Sequence, residues 1–328
     1  MKLHPMWQNY PQLVPELNQT IELMEQSVKL KNKAVEKAVL DMIHSSGKLL
    51  RPAYQLLFSQ FGEEQDRKKA ICLAAAIEML HTATLIHDDI IDEADIRRKL
   101  PTIRKQFDNS TAVYAGDYLL ISCFKLLADY TQSMRSLQLN SRSMEKILDG
   151  ELGQMNDRYQ IDVTIDDYLE NISGKTAELF ALSCGIGALE SSCSEAFSKK
   201  CSEIGLNIGL AFQIIDDILD YTKTPEGIGK PVLEDVRQGV YSLPLIYALK
   251  ENKQALLPYL SKKEAMSHED AQAVFDIVHQ TSAIQKAQDL AAKYTDKALK
   301  GIAKLPDNQV QTKENLARLT KAILTREN

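Results

Sequence analysis

The chain has 328 residues, 44% apolar and 26% charged, and its 45 acidic against 39 basic side chains give a formal charge of −6. That balance is ordinary for a soluble globular protein and leaves no basic excess for gripping nucleic acid. Five cysteines (Cys72, Cys123, Cys184, Cys193, Cys201) are an odd count without metal-finger spacing, and they read as buried free thiols in a reducing cytoplasm. No charged-then-apolar leader opens the chain and no run of about 18 uncharged apolar residues occurs, so a cytoplasmic protein is expected.

Helical periodicity dominates, and alternating strand-like runs are nearly absent. Helices are predicted over 17–43, 53–60, 67–93, 109–129, 134–158, 165–188, 194–221, 239–250, 268–300 and 311–326, separated by breaks where Gly and Pro gather. No linker, low-complexity tract or short-period repeat interrupts them. The expectation is one all-α domain over 1–328.

Two copies of one acidic cluster stand out, Asp88-Asp89-Ile90-Ile91-Asp92 and Asp216-Asp217-Ile218-Leu219-Asp220. Each ends a long apolar helix and places carboxylates at i, i+1 and i+4, so at least two share a helix face. Anions on an apolar face are costly unless a cation answers them, and neither cluster contains a basic residue. Repeated carboxylate sets of this kind suit a hard cation, magnesium above all, which often bridges to substrate phosphates. Basic residues lie close by in sequence: Arg97-Arg98 follow the first cluster, and Gly47-Lys48-Leu49-Leu50-Arg51-Pro52 reads as a phosphate-binding turn entering a helix. Gly174-Lys175-Thr176 and Gly229-Lys230-Pro231 add two further Gly-Lys pairs.

In this order and spacing, and with His81, Gly116-Asp117, Gly153-Gln154-Met155-Asn156-Asp157 and Phe212-Gln213, the chain resembles the trans-isoprenyl diphosphate synthases of the polyprenyl synthetase family over nearly its whole length. The likeness is to medium- and long-chain bacterial heptaprenyl, hexaprenyl and octaprenyl diphosphate synthases. It implies a single isoprenoid-synthase helical bundle around a central apolar cavity. An allylic diphosphate would be held by about three magnesium ions bridged to Asp88, Asp92 and Asp216, with Asp89, Asp217 and Asp220 nearby. Arg97, Lys175 and Lys230 would contact that diphosphate, and Thr176 and Gln213 would face the carbocation. Isopentenyl diphosphate would lie on Lys48, Arg51, His81 and Arg98, while Gln154 and Asp157 would orient metal water or diphosphate. No side chain is assigned as general base, because in the family the released diphosphate is thought to take the proton.

Three positions depart from the family pattern: Leu49 stands for an arginine, Lys99 for the glycine after the arginine pair, and Val240 for a diphosphate-binding lysine common in short-chain members. None is a metal ligand.

Ile77, Leu80 and Thr84 share the helix face of Asp88 and would line the pocket for the growing chain. Short-chain members close that pocket with aromatic residues four or five positions before the first aspartate; here these are Thr84 and Ala83. The floor is then deeper, at Leu80, Ile77, or residues such as Phe124 and Ile147 on neighbouring helices. The expected product exceeds fifteen carbons, with six to eight isoprene units for a quinone side chain preferred and geranylgeranyl diphosphate the alternative. The expected primer is farnesyl diphosphate. The expected assembly is a homodimer, or a heterodimer with a small subunit without which the chain is inactive, with transient membrane contact on product release.

Other classes fit less well. A terpene cyclase would typically lack the second aspartate cluster. A di-iron carboxylate protein would repeat the Glu78-Met79-Leu80-His81 spacing, which occurs once. A non-catalytic partner subunit would usually have lost its aspartates.

Overall fold

The computed structural model describes residues 3–45, 47–130, 134–222 and 233–325. The chain is helical, as its periodicity predicts. The helices are α1 Val14–Ser27, α2 Lys33–His44, α3 Leu50–Phe58, α4 Arg67–Ile91, the short α5 Ile103–Gln106, α6 Asn109–Tyr130, α7 Met134–Asn156, α8 Ile165–Ile172, α9 Glu178–Leu189 and α10 Glu195–Thr222. After these come α11 Glu234–Arg237, α12 Leu243–Leu260, α13 His268–His279, α14 Ala283–Ala303 and α15 Thr312–Leu324.

Two compact units are present. One comprises Met1–Asn140, Leu182–Ser202 and Pro306–Asn315; the other comprises Ser141–Ala181, Glu203–Leu305 and Leu316–Asn328. In the first unit α4 is the central rod, packed by α1, α3 and α6. Asp66 caps it by accepting from the Lys69 N–H, and buried residues from Ala70 to Ile86 cover most of its circumference. By length and composition α4 and α6 could each cross a bilayer, but the apolar stretch of α4 is largely buried against protein. The second unit packs α12 against α13 and α14. Its core includes Ile214, Ile218, Tyr221, Leu243, Ile246 and Val274. Each such side chain contributes about 1.5–3 kcal/mol through burial.

The predicted helix 17–43 is two helices. Between them, the Lys29 N–H donates to the Tyr118 hydroxyl at 2.9 Å and the Leu30 N–H to Glu36 Oε2 at 2.6 Å, while Asn32 caps α2. Side chains therefore take backbone donors that a continuous helix would have used. The predicted helix 268–300 likewise breaks after His279, where Thr281 Oγ1 donates to the Val278 carbonyl and the Ser282 N–H to Glu251. The helix predicted over 239–250 is α12, which starts at Leu243 and runs on to Leu260 across a kink at Asn252. The predicted helix 165–188 contains a π-helical turn over Ser173–Ala177.

The arginine pair lies on an element the periodicity did not predict, a hairpin pairing Ile96 with Pro101 and Arg97 with Leu100. Its two turn residues, Arg98 (φ 51°) and Lys99 (φ 68°), are both left-handed. A two-residue hairpin turn of this hand favours glycine, which supplies a physical reason for a glycine at position 99.

Candidate active site

In the first unit, α4 carries the first aspartate cluster at its C-terminal end. Asp89 is 2% exposed, and Arg97 Nε donates to its Oδ1 at 2.6 Å. Its other oxygen, Oδ2, is buried without a hydrogen-bond partner among the described residues. Burial pushes the Asp89 carboxyl up from the usual range, and Arg97 opposes that push. Asp88 and Asp92 on either side keep partial accessibility. Two turns below Asp88, His81 Nε2 lies 3.2 Å from Arg51 Nη1. A guanidinium can only donate, so His81 accepts. Burial, followed by the nearby arginines 51, 98 and 97, holds the His81 pKa well below the usual imidazole value, so the ring is neutral at neutral pH. Arg98 Nη1 reaches the Ser45 carbonyl at 3.3 Å, which ties the hairpin to the loop preceding Gly47-Lys48. Lys48, Arg51, His81 and Arg98 thus belong to the same unit as Asp88 and Asp92. Gly116 on α6 meets the ring of His87, where a Cβ would lie 2.3 Å from Nε2, and Asp117 pairs with the same nitrogen at 3.3 Å. That contact sets α6 against the helix bearing the cluster.

The chain-length residues also lie on α4. Ile77, Leu80 and Ala83 are buried, and Ala83 has no accessible surface, while Thr84 retains some. Thr84 Oγ1 donates to the His81 carbonyl at 2.9 Å. Of the other candidate floor residues, Phe124 on α6 is exposed and Ile147 on α7 is buried in the second unit.

In the second unit, the π turn brings a polar chain together. Gly174 packs on Gly150 of α7, where a Cβ would lie 2.4 Å from the Lys146 carbonyl and 2.8 Å from Gly150 Cα. Gly174 is therefore a helix-crossing glycine, not a phosphate cradle. The neighbouring Lys175 ammonium reaches Glu151 Oε2 at 2.9 Å and Gln154 Oε1 at 3.0 Å. Thr176 Oγ1 donates to Gln213 Oε1 at 2.7 Å, and Gln213 Nε2 donates to Asp217 Oδ1 at 2.8 Å. The Gln213 carbonyl expected to face a cation is thus engaged by Thr176. Tyr168 Oη closes the set by donating to Asp217 Oδ2 at 2.6 Å. Burial raises the Asp217 carboxyl to about 7, against the hydrogen bonds from Tyr168 and Gln213. Asp157 accepts from Asn171 Nδ2 at 2.6 Å, and Asp216 and Asp220 flank Asp217 on α10 with partial accessibility. Lys230 lies outside the described residues.

Glu151 and Tyr168 were not singled out from the sequence. Glu151 could have been, since it precedes Gln154 by one helical turn on α7. Tyr168 had no local signal, because the π turn shifts its phase relative to Lys175.

The polyprenyl synthetase family profile matches residues 32–278. The chain is 35% identical to heptaprenyl diphosphate synthase component 2 of Geobacillus stearothermophilus over 312 residues, 95% of each chain. The solved structure of geranylgeranyl pyrophosphate synthase from Lactobacillus brevis ATCC 367 matches with a TM-score of 0.94 at 41% identity, covering 98% of this chain and 99% of that one. Heptaprenyl diphosphate synthase from Staphylococcus aureus matches with a TM-score of 0.88 at 34% identity, covering 96% and 99%. The chain belongs to the polyprenyl synthetase family. As a polyprenyl synthetase it is a prenyltransferase on the all-α isoprenoid-synthase fold. Among the described residues, no three carboxylate, imidazole or thiol side chains converge into a ready-made metal cage. Magnesium seldom needs one: it is commonly held by one or two carboxylates together with substrate phosphates and water. The all-oxygen donor sets, and the buried Asp89 Oδ2 without a partner, fit that ion in this polyprenyl synthetase.

Proposed function

We propose that this chain catalyses head-to-tail condensation of an allylic diphosphate, farnesyl diphosphate being the preferred primer, with isopentenyl diphosphate. The product extends beyond fifteen carbons, to six to eight isoprene units, and serves as a quinone side chain. The observation that carries the reading is the sorting of charge in the first unit: metal-type carboxylates end α4, while two turns below them a neutral His81 accepts from Arg51, close to the Lys48 loop.

Asp88, Asp92 and Asp216 would hold about three magnesium ions, which would supply the positive charge that a leaving diphosphate needs. Arg97, Lys175 and Lys230 hold its oxygens, and Lys175 exchanges its Glu151 partner for them. Lys48, Arg51, His81 and Arg98 hold the isopentenyl diphosphate so that its double bond meets the allylic carbon, which supplies the proximity that a bimolecular step lacks. The C–O bond breaks to give diphosphate and an allylic cation, the double bond forms the new C–C bond, and one proton leaves to diphosphate. Thr176 offers hydroxyl lone pairs to the cationic stage. A homodimer, or a pair with a small partner subunit, acts in the cytoplasm as a single functional domain and releases its product toward a membrane.

A twenty-carbon product is the second reading, favoured by the close packing of Ile77 and Leu80 beneath Ala83. Purified protein with magnesium, farnesyl diphosphate and isopentenyl diphosphate, alone and with cell extract, tests both. Products of thirty to forty carbons on chromatography support the main reading, a twenty-carbon product supports the second, and no diphosphate release in either assay overturns both.

A further inference from the structure

The 3-10 turn Pro5–Asn9 carries Trp7, which is 1% exposed and is the sole tryptophan of the chain. Its indole Nε1–H donates to the Lys48 carbonyl at 2.9 Å, across 41 residues of sequence. Tyr10 packs edge-on against the indole at 5.8 Å and fixes its plane. The accepting carbonyl belongs to the peptide that joins Lys48 to Leu49, and Leu49 has the left-handed backbone φ 49°, ψ 39°. A non-glycine residue holds that conformation only when its surroundings enforce it. Fixing this one peptide plane fixes ψ of Lys48 and φ of Leu49. The Leu49 carbonyl in turn accepts from the Ala53 N–H at 3.1 Å and starts α3, whose second residue is Arg51. On the other side of the loop, Arg98 holds the Ser45 carbonyl, and its Nη2 lies 3.0 Å from where a Gly47 Cβ would stand.

We infer that Trp7 is a positioning residue for isopentenyl diphosphate, acting through the Lys48 carbonyl to set the directions of Lys48 and Arg51. The inference rests on the assignment of those two side chains to that diphosphate. Trp7 touches no substrate; it holds the strained turn in the form that binds. Because the same indole is the only tryptophan, its emission reports occupancy of the loop.

Two measurements test this. Trp7→Phe keeps the buried ring and removes the donor. KM for isopentenyl diphosphate is expected to rise about three- to tenfold, the worth of one such hydrogen bond, with kcat and KM for farnesyl diphosphate within about twofold of wild type. Equal losses for both substrates, or none, overturn the inference. In wild-type protein, tryptophan emission is expected to change saturably on titration with isopentenyl diphosphate alone, and Lys48→Ala is expected to shift that titration to higher concentration. No change in emission overturns the inference even if Trp7→Phe fails to fold. Absence of turnover in the wild type would sink the assigned reaction, and the emission titration, which needs no turnover, then decides the role of Trp7 by itself.

Discussion

The two aspartate clusters share one sequence pattern and live in opposite surroundings. In the first unit, the middle aspartate, Asp89, is sealed from solvent and answered by a full positive charge on Arg97. In the second, the middle aspartate, Asp217, is answered by two neutral donors, Tyr168 and Gln213, and its carboxyl rises to about 7. A charged partner holds the anion in place whether or not a ligand is bound. Neutral donors answer the Asp217 carboxyl without a full opposite charge. The same carboxylate spacing therefore builds one buried anchor answered by a guanidinium and one buried carboxyl answered only by neutral donors.

The largest expected effect tests whether both clusters serve the reaction. Asp88→Ala and Asp216→Ala should each lower kcat by about a thousandfold, the scale of losing a metal contact to a leaving diphosphate. Either variant keeping its rate within about tenfold of wild type would confine the chemistry to the other cluster. The next test separates the charged partner from the neutral one. Arg97→Leu strands a buried carboxylate and should cost about 3 kcal/mol in urea unfolding of metal-free protein. Tyr168→Phe removes one neutral hydrogen bond and should cost about 1–2 kcal/mol. Equal costs would erase the distinction drawn between the clusters.

A pH series sharpens it further. The folded-state pKa of Asp217, about 7, lies above its usual 3.8. The folded protein therefore holds this proton more tightly than the unfolded chain does. Its stabilising contribution is complete below about pH 4, declines as pH rises toward 7, and is flat beyond. For this half-buried group the decline should be on the order of 2 kcal/mol in metal-free protein. Asp217→Asn should remove that slope, and a slope unchanged in the variant would place its origin elsewhere, Asp89 being the next group displaced in the same direction.

Product length should respond to the helix beneath the first cluster. Thr84→Phe, at the position that keeps accessible surface, should shorten the product by at least one isoprene unit. Ala83→Phe, at a position with none, should first cost about 1–3 kcal/mol by overpacking. Unchanged chain length in a folded Thr84→Phe protein would move the floor away from α4. The smallest effect belongs to the hairpin that carries Arg97. Lys99→Gly should relieve the left-handed turn and stabilise the protein by about 0.5–1 kcal/mol, read as a higher urea midpoint.

Much of this protein was written locally in its sequence. Helical periodicity located α4, α6, α7 and α10 to within a few residues, because the 3.6-residue repeat of buried side chains is a property of each segment alone. The spacing of Asp88, Asp89 and Asp92 put carboxylates on one face for the same reason, as did that of Asp216, Asp217 and Asp220. What each aspartate meets was not local. Arg97 reaches Asp89 only because the chain reverses after α4 through the left-handed Glu93, where the Ala94 N–H donates to the Asp89 carbonyl, and Tyr168 reaches Asp217 across 49 residues. Tyr118 interrupts the first predicted helix from 89 residues away, and Trp7 holds the Lys48 turn from 41. Hydrogen-bond partners and burial, and with them the charge state of each carboxylate, depend on which segments pack together. The sequence by itself determined where the carboxylates and cations stand along the helices; only the tertiary structure decided how deeply each is buried and which side chains answer Asp89 and Asp217, because those contacts join segments far apart in the chain.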